Sequence, residues 1–224
     1  MEDQLIIGKK SSYDDYEASV KESYIYNPKK KEIKESVPFS NKPYDFSAIN
    51  GEVYWEEREL EYVFEIIAET PEELTQKKTL FLNWVMNVFE EKIYDPYDPD
   101  YYYVGTYDDS DCDDDESKEK TTITVRFKAY PYKYSNRAIS SRITVLSRSE
   151  TTLNLNNDSA HRIIPTITVD NNIVIIASGT SSAISAGTYT EGVLMLEKGT
   201  NTLLLQNNTD LPCNVVISYS EEVF

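Results

Sequence analysis

Three aspartates at alternate positions, Asp109, Asp111 and Asp113, stand at the spacing of the first three ligands of an EF-hand calcium loop. The pattern then breaks. Counted from Asp109, the place of the turn-making Gly is taken by Asp114, and the place of the closing bidentate Glu is taken by Lys120. The run Asp108 to Glu116 therefore reads as a solvated, self-repelling loop tip between strands, and no metal site is expected. Acids are plentiful, 39 in all, so a glycosidase-like pair must be weighed. Such a pair needs two carboxyls across a cleft, one held protonated. Here the acids alternate outward on strands or crowd loops, which leaves them ionised. His161 is the one histidine, and no Gly-x-Ser-x-Gly elbow surrounds the serines from Ser178 to Ser185. Two thiols and one imidazole give no metal-ligand spacing. Cys112, among carboxylates, is expected to be an unreactive thiol with a raised pKa. The chain reads as a non-enzyme with no catalytic, cofactor or metal residues.

The charge is uneven. The formal net charge is -17. From Arg137 onward there are 8 acidic and 5 basic residues, against 31 and 17 before it. Both Trp and every Tyr except Tyr189 and Tyr219 also precede Arg137. Two compositions imply two domains, 1–134 and 135–224. So acidic a chain is a poor match for a nucleic-acid backbone, and the basic run Lys29-Lys30-Lys31 ends at Glu32. No apolar stretch reaches the length of a membrane span, and the acidic start at Met1-Glu2-Asp3 lacks a leader's apolar core. Maturation in the cytoplasm where the chain is made is expected, without membrane association.

The elements that must position these residues are mostly strands. Gln4 to Lys10 reads as a first strand, and Tyr13 to Lys42 as irregular extended chain broken by Pro28 and Pro38. Asn50-Gly51 has the form of a hairpin turn. Leu60, Tyr62, Phe64 and Ile66 alternate with Glu61, Val63 and Glu65, and Thr122–Lys128 alternates equally well. Thr70-Pro71-Glu72-Glu73 is a helix start: a Thr cap, Pro at the first helical position and a Glu completing the capping box. The spacing of Leu74, Phe81, Trp84, Val85 and Val88 carries that helix to near Ile93. After Asn136, short β segments separated by Asn, Ser, Thr and Gly form a β-sandwich with no repeat of fixed period. That sandwich has few exposed aromatic platforms for sugar stacking. The aromatic surplus lies instead in the N-terminal part, in Tyr24, Tyr26, Phe39, Tyr44, Phe46, Tyr54 and Trp55. Tyr24, Tyr26, Phe39, Tyr44 and Phe46 are the candidate subunit-interface residues, because aromatics that cannot enter their own sheet are available to a neighbour.

Several passages together carry a resemblance. Asn27-Pro28-Lys29-Lys30-Lys31-Glu32-Ile33-Lys34-Glu35-Ser36-Val37-Pro38-Phe39-Ser40-Asn41 leads into Tyr44-Asp45-Phe46-Ser47 and then Glu57-Arg58-Glu59-Leu60-Glu61-Tyr62. With Leu82-Asn83-Trp84, Tyr102-Tyr103 and Phe127-Lys128-Ala129-Tyr130-Pro131, these resemble the N-terminal domain of the phage distal tail (Dit) proteins. Leu196-Glu197-Lys198-Gly199-Thr200-Asn201 is similar to a turn in that family's galectin-like second domain.

The resemblance implies a mainly β fold: an N-terminal β-sandwich or barrel-like ring-forming domain with one α-helix, then a galectin-like β-sandwich. It implies a structural hub at the bacteriophage tail tip, or baseplate, of the virion. Six copies would form a ring, a homo-oligomer joining the tail tube protein to a tail-associated protein and to receptor-binding proteins. Assembly would take place in the bacterial host cytoplasm. The alternative is a carbohydrate-binding β-sandwich module for host-surface recognition. Like charge on every copy gives a further expectation, that low salt weakens the ring.

Overall fold

The computed structural model describes residues 3–36, 38–39, 41–47, 53–117 and 119–224. The chain divides into two compact units, residues 1–133 and 134–224. In the first unit the elements are β1 (Ile6–Ile7), β2 (Lys10–Ser11), β3 (Ala18–Ile25), β4 (Lys34–Glu35), β5 (Tyr44–Asp45), β6 (Arg58–Ile67), α1 (Pro71–Val85), β7 (Glu91–Tyr94), β8 (Tyr101–Asp114) and β9 (Lys120–Ala129). Seven strands run through one antiparallel sheet in the order β2-β1-β7-β8-β9-β6-β3, and β4 pairs with β5. The Asn50-Gly51 turn lies outside the described residues.

The alternation read from the sequence sets the core. Leu60, Tyr62, Phe64 and Ile66 on β6 are fully buried beside Ile123, Val125 and Phe127 on β9. Helix α1 covers this face with Leu74, Phe81 and Val85, and the Phe81 ring lies 4.9 Å from that of Phe64. Fully burying such a ring is worth roughly 2–3 kcal/mol. Thr70 Oγ1 accepts from the Glu73 N–H at 3.2 Å, and Glu73 reaches back to accept from Glu69 N–H at 3.0 Å. The helix is shorter than its apolar spacing implies. Past Val85, the N–H groups of Asn87 and Val88 turn back to the carbonyls of Trp84 and Val85, and Glu90 takes a left-handed φ of 51°. Ile93 is thus a core residue of β7 instead of a helix end.

The sheet curls. Ser12 N–H donates to Leu5 O, Ala18 N–H to Ser12 O and Val20 N–H to Asp3 O. These bonds tie the edge strand β3 to the segment that carries β1 and β2, giving the barrel-like closure. Gly8, at φ 62°, breaks the expected first strand into β1 and β2.

After β10 (Lys133–Ser135), the second unit contains β11 (Ile139–Val145), β12 (Ser149–Asn157), β13 (Thr166–Val169), β14 (Ile173–Ala177), β15 (Thr180–Ile184), β16 (Gly187–Tyr189), β17 (Gly199–Asn207) and β18 (Cys213–Tyr219). Its two sheets are ordered β11-β18-β13-β16 and β12-β17-β14-β15. Numbered within the unit, that is 1-8-3-6 over 2-7-4-5, the arrangement of an eight-stranded jelly roll. The Ser-rich stretch forms β15. Val193–Leu196 forms no strand, and Leu196 makes an isolated bridge to Ile163.

Two buried asparagines do the same work in this unit. Asn157, at the end of β12, donates through Nδ2 to His161 O and Leu196 O and accepts from Ser159 N–H. Asn207, at the end of β17, donates to Val145 O and Leu211 O and accepts from Thr209 N–H. The sequences match in step: Leu153, Leu155, Asn157 and Ser159 recur fifty residues later as Leu203, Leu205, Asn207 and Thr209. A single repeat of this kind was not apparent as a fixed period, because the strands between the two copies differ.

Candidate assembly surface

The ladder between β3 and β6 does not stop at the sheet. Ile25 lies opposite Leu60, and Tyr26 N–H then bonds Glu59 O at 3.0 Å. Lys30 bridges Trp55, Lys31 N–H donates to Tyr54 O, and Glu56 N–H donates to Lys29 O. Farther out, Lys34 opposes Asp45 and Glu35 opposes Tyr44, with Phe46 N–H bonded to Ile33 O. The broken segment is therefore a two-stranded arm. It contributes no described residue between Tyr26 and Trp55 to the apolar core, which passes from Val20 and Ile25 directly to Leu60.

The five candidate aromatics all sit on this feature. Tyr24 and Tyr26 stand at its root. Tyr44 and Phe46 stack along it, with centroids 6.3 Å apart and planes 15° from parallel. Phe39, in the loop between β4 and β5, is fully exposed at 109%. Ile33, Val53 and Tyr54 add exposed apolar surface to the same arm. Leu80, Met86 and Phe89, on and just after α1, are also exposed, and the helix pattern did not single them out.

Two β-bulges decide what faces outward. On β3, Val20 opposes buried Phe64, but the next pair joins Glu22 to Val63, so Lys21 is the extra residue. Tyr24 is thereby aimed to the outer face with Glu61, its partner. On β8, Tyr107 opposes Phe127, the following pair is Asp109 with Arg126, and Asp108 is extra. One added residue reverses the parity of a strand. Without Asp108, the aspartates 109, 111 and 113 would point with Tyr103 and Tyr107 toward the core.

The acid run is thus a strand for most of its length, which corrects the loop expectation. Its alternating acids line one side of β8, whereas an EF-hand needs them curled around one point. Arg126 answers them on the outer face: its Nη1 lies 2.8 Å from Asp111 and its Nε 2.7 Å from Glu61. Glu65 pairs with Lys120 and Lys21, in that order the main causes of its lowered pKa. On the other side, Asp114 meets Lys78 of α1 at 2.7 Å. Among the described residues, no group of three or more His, Cys, Asp or Glu side chains gathers as a metal site.

The remaining candidates for chemistry are occupied structurally. His161 Nε2 lies 2.9 Å from Glu222 Oε2, and burial pushes the Glu222 carboxyl up. The Cys112 thiol is raised, first by desolvation and then by Asp114 and Asp111 against the pull of Lys78. Cys213 is buried, and neither cysteine is in a disulfide. In the second unit, Tyr219 is buried and its hydroxyl donates to Asn156 O. The Tyr189 hydroxyl is held between Ser185 N–H and Ser185 O.

No known family profile matches the sequence, and no curated protein matches it. Solved structures do match. The fold is similar to that of a solved phage protein. The structure that carries this likeness is the crystal structure of the SPP1 Dit protein, a paradigm of the hub adsorption apparatus in phages infecting Gram-positive bacteria. It shares 14% identity over 97% of this chain and 98% of that chain, with a TM-score of 0.67. The phage P2 baseplate in its activated conformation with calcium matches at 8% identity over 97% of this chain and 98% of that one, TM-score 0.41. A designed double-stranded β-helix solved by NMR matches at 18% identity over 38% of this chain and 97% of its own, TM-score 0.28.

Proposed function

We propose that this chain is a distal tail protein: a non-enzymatic hub whose copies close a ring, six in number, at the phage tail tip. In this reading the ring joins the tail tube to a tail-associated protein and to receptor-binding proteins. It assembles in the bacterial host cytoplasm and ends in the virion. The observation that carries it is the likeness of fold to SPP1 Dit, which runs through both units and nearly the full length of each chain. The exposed arm supports the same reading, because a closed ring covers strand edges and apolar surface that a monomer leaves open. Tyr24, Tyr26, Phe39, Tyr44 and Phe46 are assigned to the contact between copies.

A jelly roll is also a lectin architecture, so recognition of host-surface carbohydrate by the second unit is the competing reading. It has less support, because Tyr219 is buried and Tyr189 is tied through its hydroxyl. Light scattering and negative-stain imaging test the proposal. Six-membered rings are expected, alone or on a tail-tube template. A chain that stays monomeric with its tail partners present sinks the hub reading, and selective glycan binding by that monomer supports the carbohydrate reading.

A further inference from the structure

In the second unit, β12 stands at the edge of its sheet, with β17 its one strand partner among the described residues. The two pair from Ser149 to Asn157 without a register shift. Other edges are guarded. β2, β15 and β16 have two, five and three residues, β3 carries the bulge at Lys21, and β11 carries exposed Arg142. Short length, bulges and charge are the ordinary protections of a strand edge. β12 has no bulge, proline or lysine, and its one charged group, the Glu150 carboxylate, accepts from Gln206 Nε2 of β17 at 3.1 Å. The outward backbone groups of β12 follow from the neighbouring hairpin. Ser178 and Gly179, at φ 47° and 80°, form a two-residue loop whose closing pair, Ala177 and Thr180, is hydrogen-bonded. Each strand gives alternate residues to alternate neighbours. Val174 and Ile176 therefore bond Gln206 and Leu204, and Leu203 and Leu205 bond Leu153 and Thr151. Glu150, Thr152 and Asn154 are left pointing away from β17. Asn156 follows the same parity, since its carbonyl accepts from the Tyr219 hydroxyl at 2.6 Å. The N–H and C=O of Glu150, Thr152 and Asn154 have no partner among the described residues.

We propose that this edge pairs with the same edge of a second copy, antiparallel about a two-fold axis at Thr152. The contact belongs to the second unit and does not depend on the ring contact assigned to the arm. Its register is set by the free groups, because outward-pointing residues have to meet outward-pointing residues. Placing Thr152 opposite Thr152 sets Glu150 opposite Asn154 on both sides. It is the one register in which the three outward residues of each copy meet the three of the other. No like charges face each other there: the two Glu150 side chains stand four residues apart, roughly 14 Å at a strand's rise per residue. Thr opposite Thr is a favourable cross-strand pair. The same register brings Leu153, half-buried in one copy, opposite Thr151 of the other. A patch that is complementary to itself is what a two-fold contact requires.

Cysteine variants of the full-length chain test the register, in a Cys112→Ser background that leaves only buried Cys213. Facing residues of a bonded antiparallel pair have Cα atoms about 5.5 Å apart, within reach of a disulfide. Under mild oxidation at high micromolar protein, Thr152→Cys is expected to form a covalent dimer on a non-reducing gel. Its rate should be at least about tenfold that of Glu150→Cys or Asn154→Cys alone, whose thiols would be too far apart. Those two variants, mixed in equal amounts, are expected to cross-link to each other nearly as fast as Thr152→Cys does to itself. Adding Asn154→Pro removes an N–H that serves only the second copy, so it should slow the Thr152→Cys dimer about tenfold with circular dichroism unchanged. Equal rates for the three single variants, or no dimer in any of them, overturn the pairing. So does a Thr152→Cys dimer that folded Asn154→Pro does not slow, since chance encounter of exposed thiols then accounts for it. If the proline variant fails to fold, the cysteine variants decide alone. The gel reads pairs whether or not rings form, so either result leaves the hub reading to its own test.

Discussion

In the first unit, strands run past the core that holds them; in the second, they stop at it. β6 buries every second side chain from Arg58 to Ile66, while the ladder it shares with β3 goes on into an arm with no core beneath it. The jelly roll ends its strands at polar stops instead. β12 and β17 each finish on a buried Asn that captures the carbonyls of the chain leaving the sheet. A loop so anchored satisfies its backbone locally and presents little that needs a partner. The arm is bonded along its described backbone, but Phe39, Tyr44 and Tyr54 leave much of their rings exposed. Under the proposed assembly, stability and availability for a neighbour are separated along the chain, and the following substitutions test that separation.

The largest expected effect is in the aromatic core. Phe64→Ala removes a fully buried ring packed against Phe81 and Tyr62, and about 4 kcal/mol of unfolding free energy is expected to go with it. Chemical denaturation followed by Trp fluorescence reports this unit, which holds both tryptophans. The second unit's transition should not move. A common shift of both transitions would mean that the units do not melt separately.

Next in size is the polar stop. Asn207→Ala leaves the carbonyls of Val145 and Leu211 without this donor and the Thr209 N–H without its acceptor. The expected loss is about 3 kcal/mol, because buried backbone groups left unpaired cost their desolvation. Asn157→Ala should cost a similar amount through His161 O and Leu196 O. The fragment Ser135–Phe224 is expected to melt cooperatively by itself, and both substitutions should lower its midpoint. A shift at one position alone would break the equivalence drawn from the repeated pattern.

How much of this was legible in the sequence depends on which force sets each element. The helix start was plain, because Thr70, Pro71 and Glu73 act locally. The faces of β6 and β9 were plain, because strict alternation has one meaning on a half-buried sheet. The acid strand was not. Asp has low strand propensity, and only the partner β9, supplying Thr122 to Arg126 opposite it, holds that run extended. The bulges at Lys21 and Asp108 were equally hidden, since an extra residue shows only in the pairing of two strands. The aromatic excess of the arm could be seen at once. Its ladder to residues 54–56 could not, because the prolines that break the pattern also mask the pairing.

Acid titration sharpens the contrast inside the first unit. Asp95 is buried, and desolvation raises its pKa despite bonds from Tyr97 N–H and the Tyr62 hydroxyl. A carboxyl raised in the folded state binds its proton more tightly folded than unfolded. Stability from Asp95 is therefore gained as pH falls from the folded value toward the unfolded one, near 3.8. Glu65 behaves oppositely. Its pKa is lowered by Lys120 and Lys21, so its contribution is full above the unfolded value near 4.5 and is lost as pH falls through the folded one. Denaturation curves between about pH 3 and 7 are expected to lose acid sensitivity in Glu65→Gln and to gain it in Asp95→Asn. The reverse assignment would mean that the interior carboxyl is solvated in solution.

The smallest expected effect on folding belongs to the most exposed aromatic. Phe39 touches neither core, so Phe39→Ala should leave unfolding free energy within about 0.5 kcal/mol of wild type. Phe46, part-shielded by its stack on Tyr44, should lose little more. Their effect on assembly should run the other way. Truncating an aromatic at the centre of an interface costs about 2 kcal/mol or more per contact, and every contact of a closed ring repeats the loss. Phe39→Ala is therefore expected to shift light scattering strongly toward monomer while the denaturation curve stays in place. That pairing of results is what separates an arm kept for a neighbour from a loop that is only untidy. If Phe39→Ala instead lowers stability by several kcal/mol, the arm is packed against its own chain in solution. If it moves neither stability nor assembly, the proposed ring contact lies elsewhere, and exposed Leu80, Met86 and Phe89 become the next side chains to truncate.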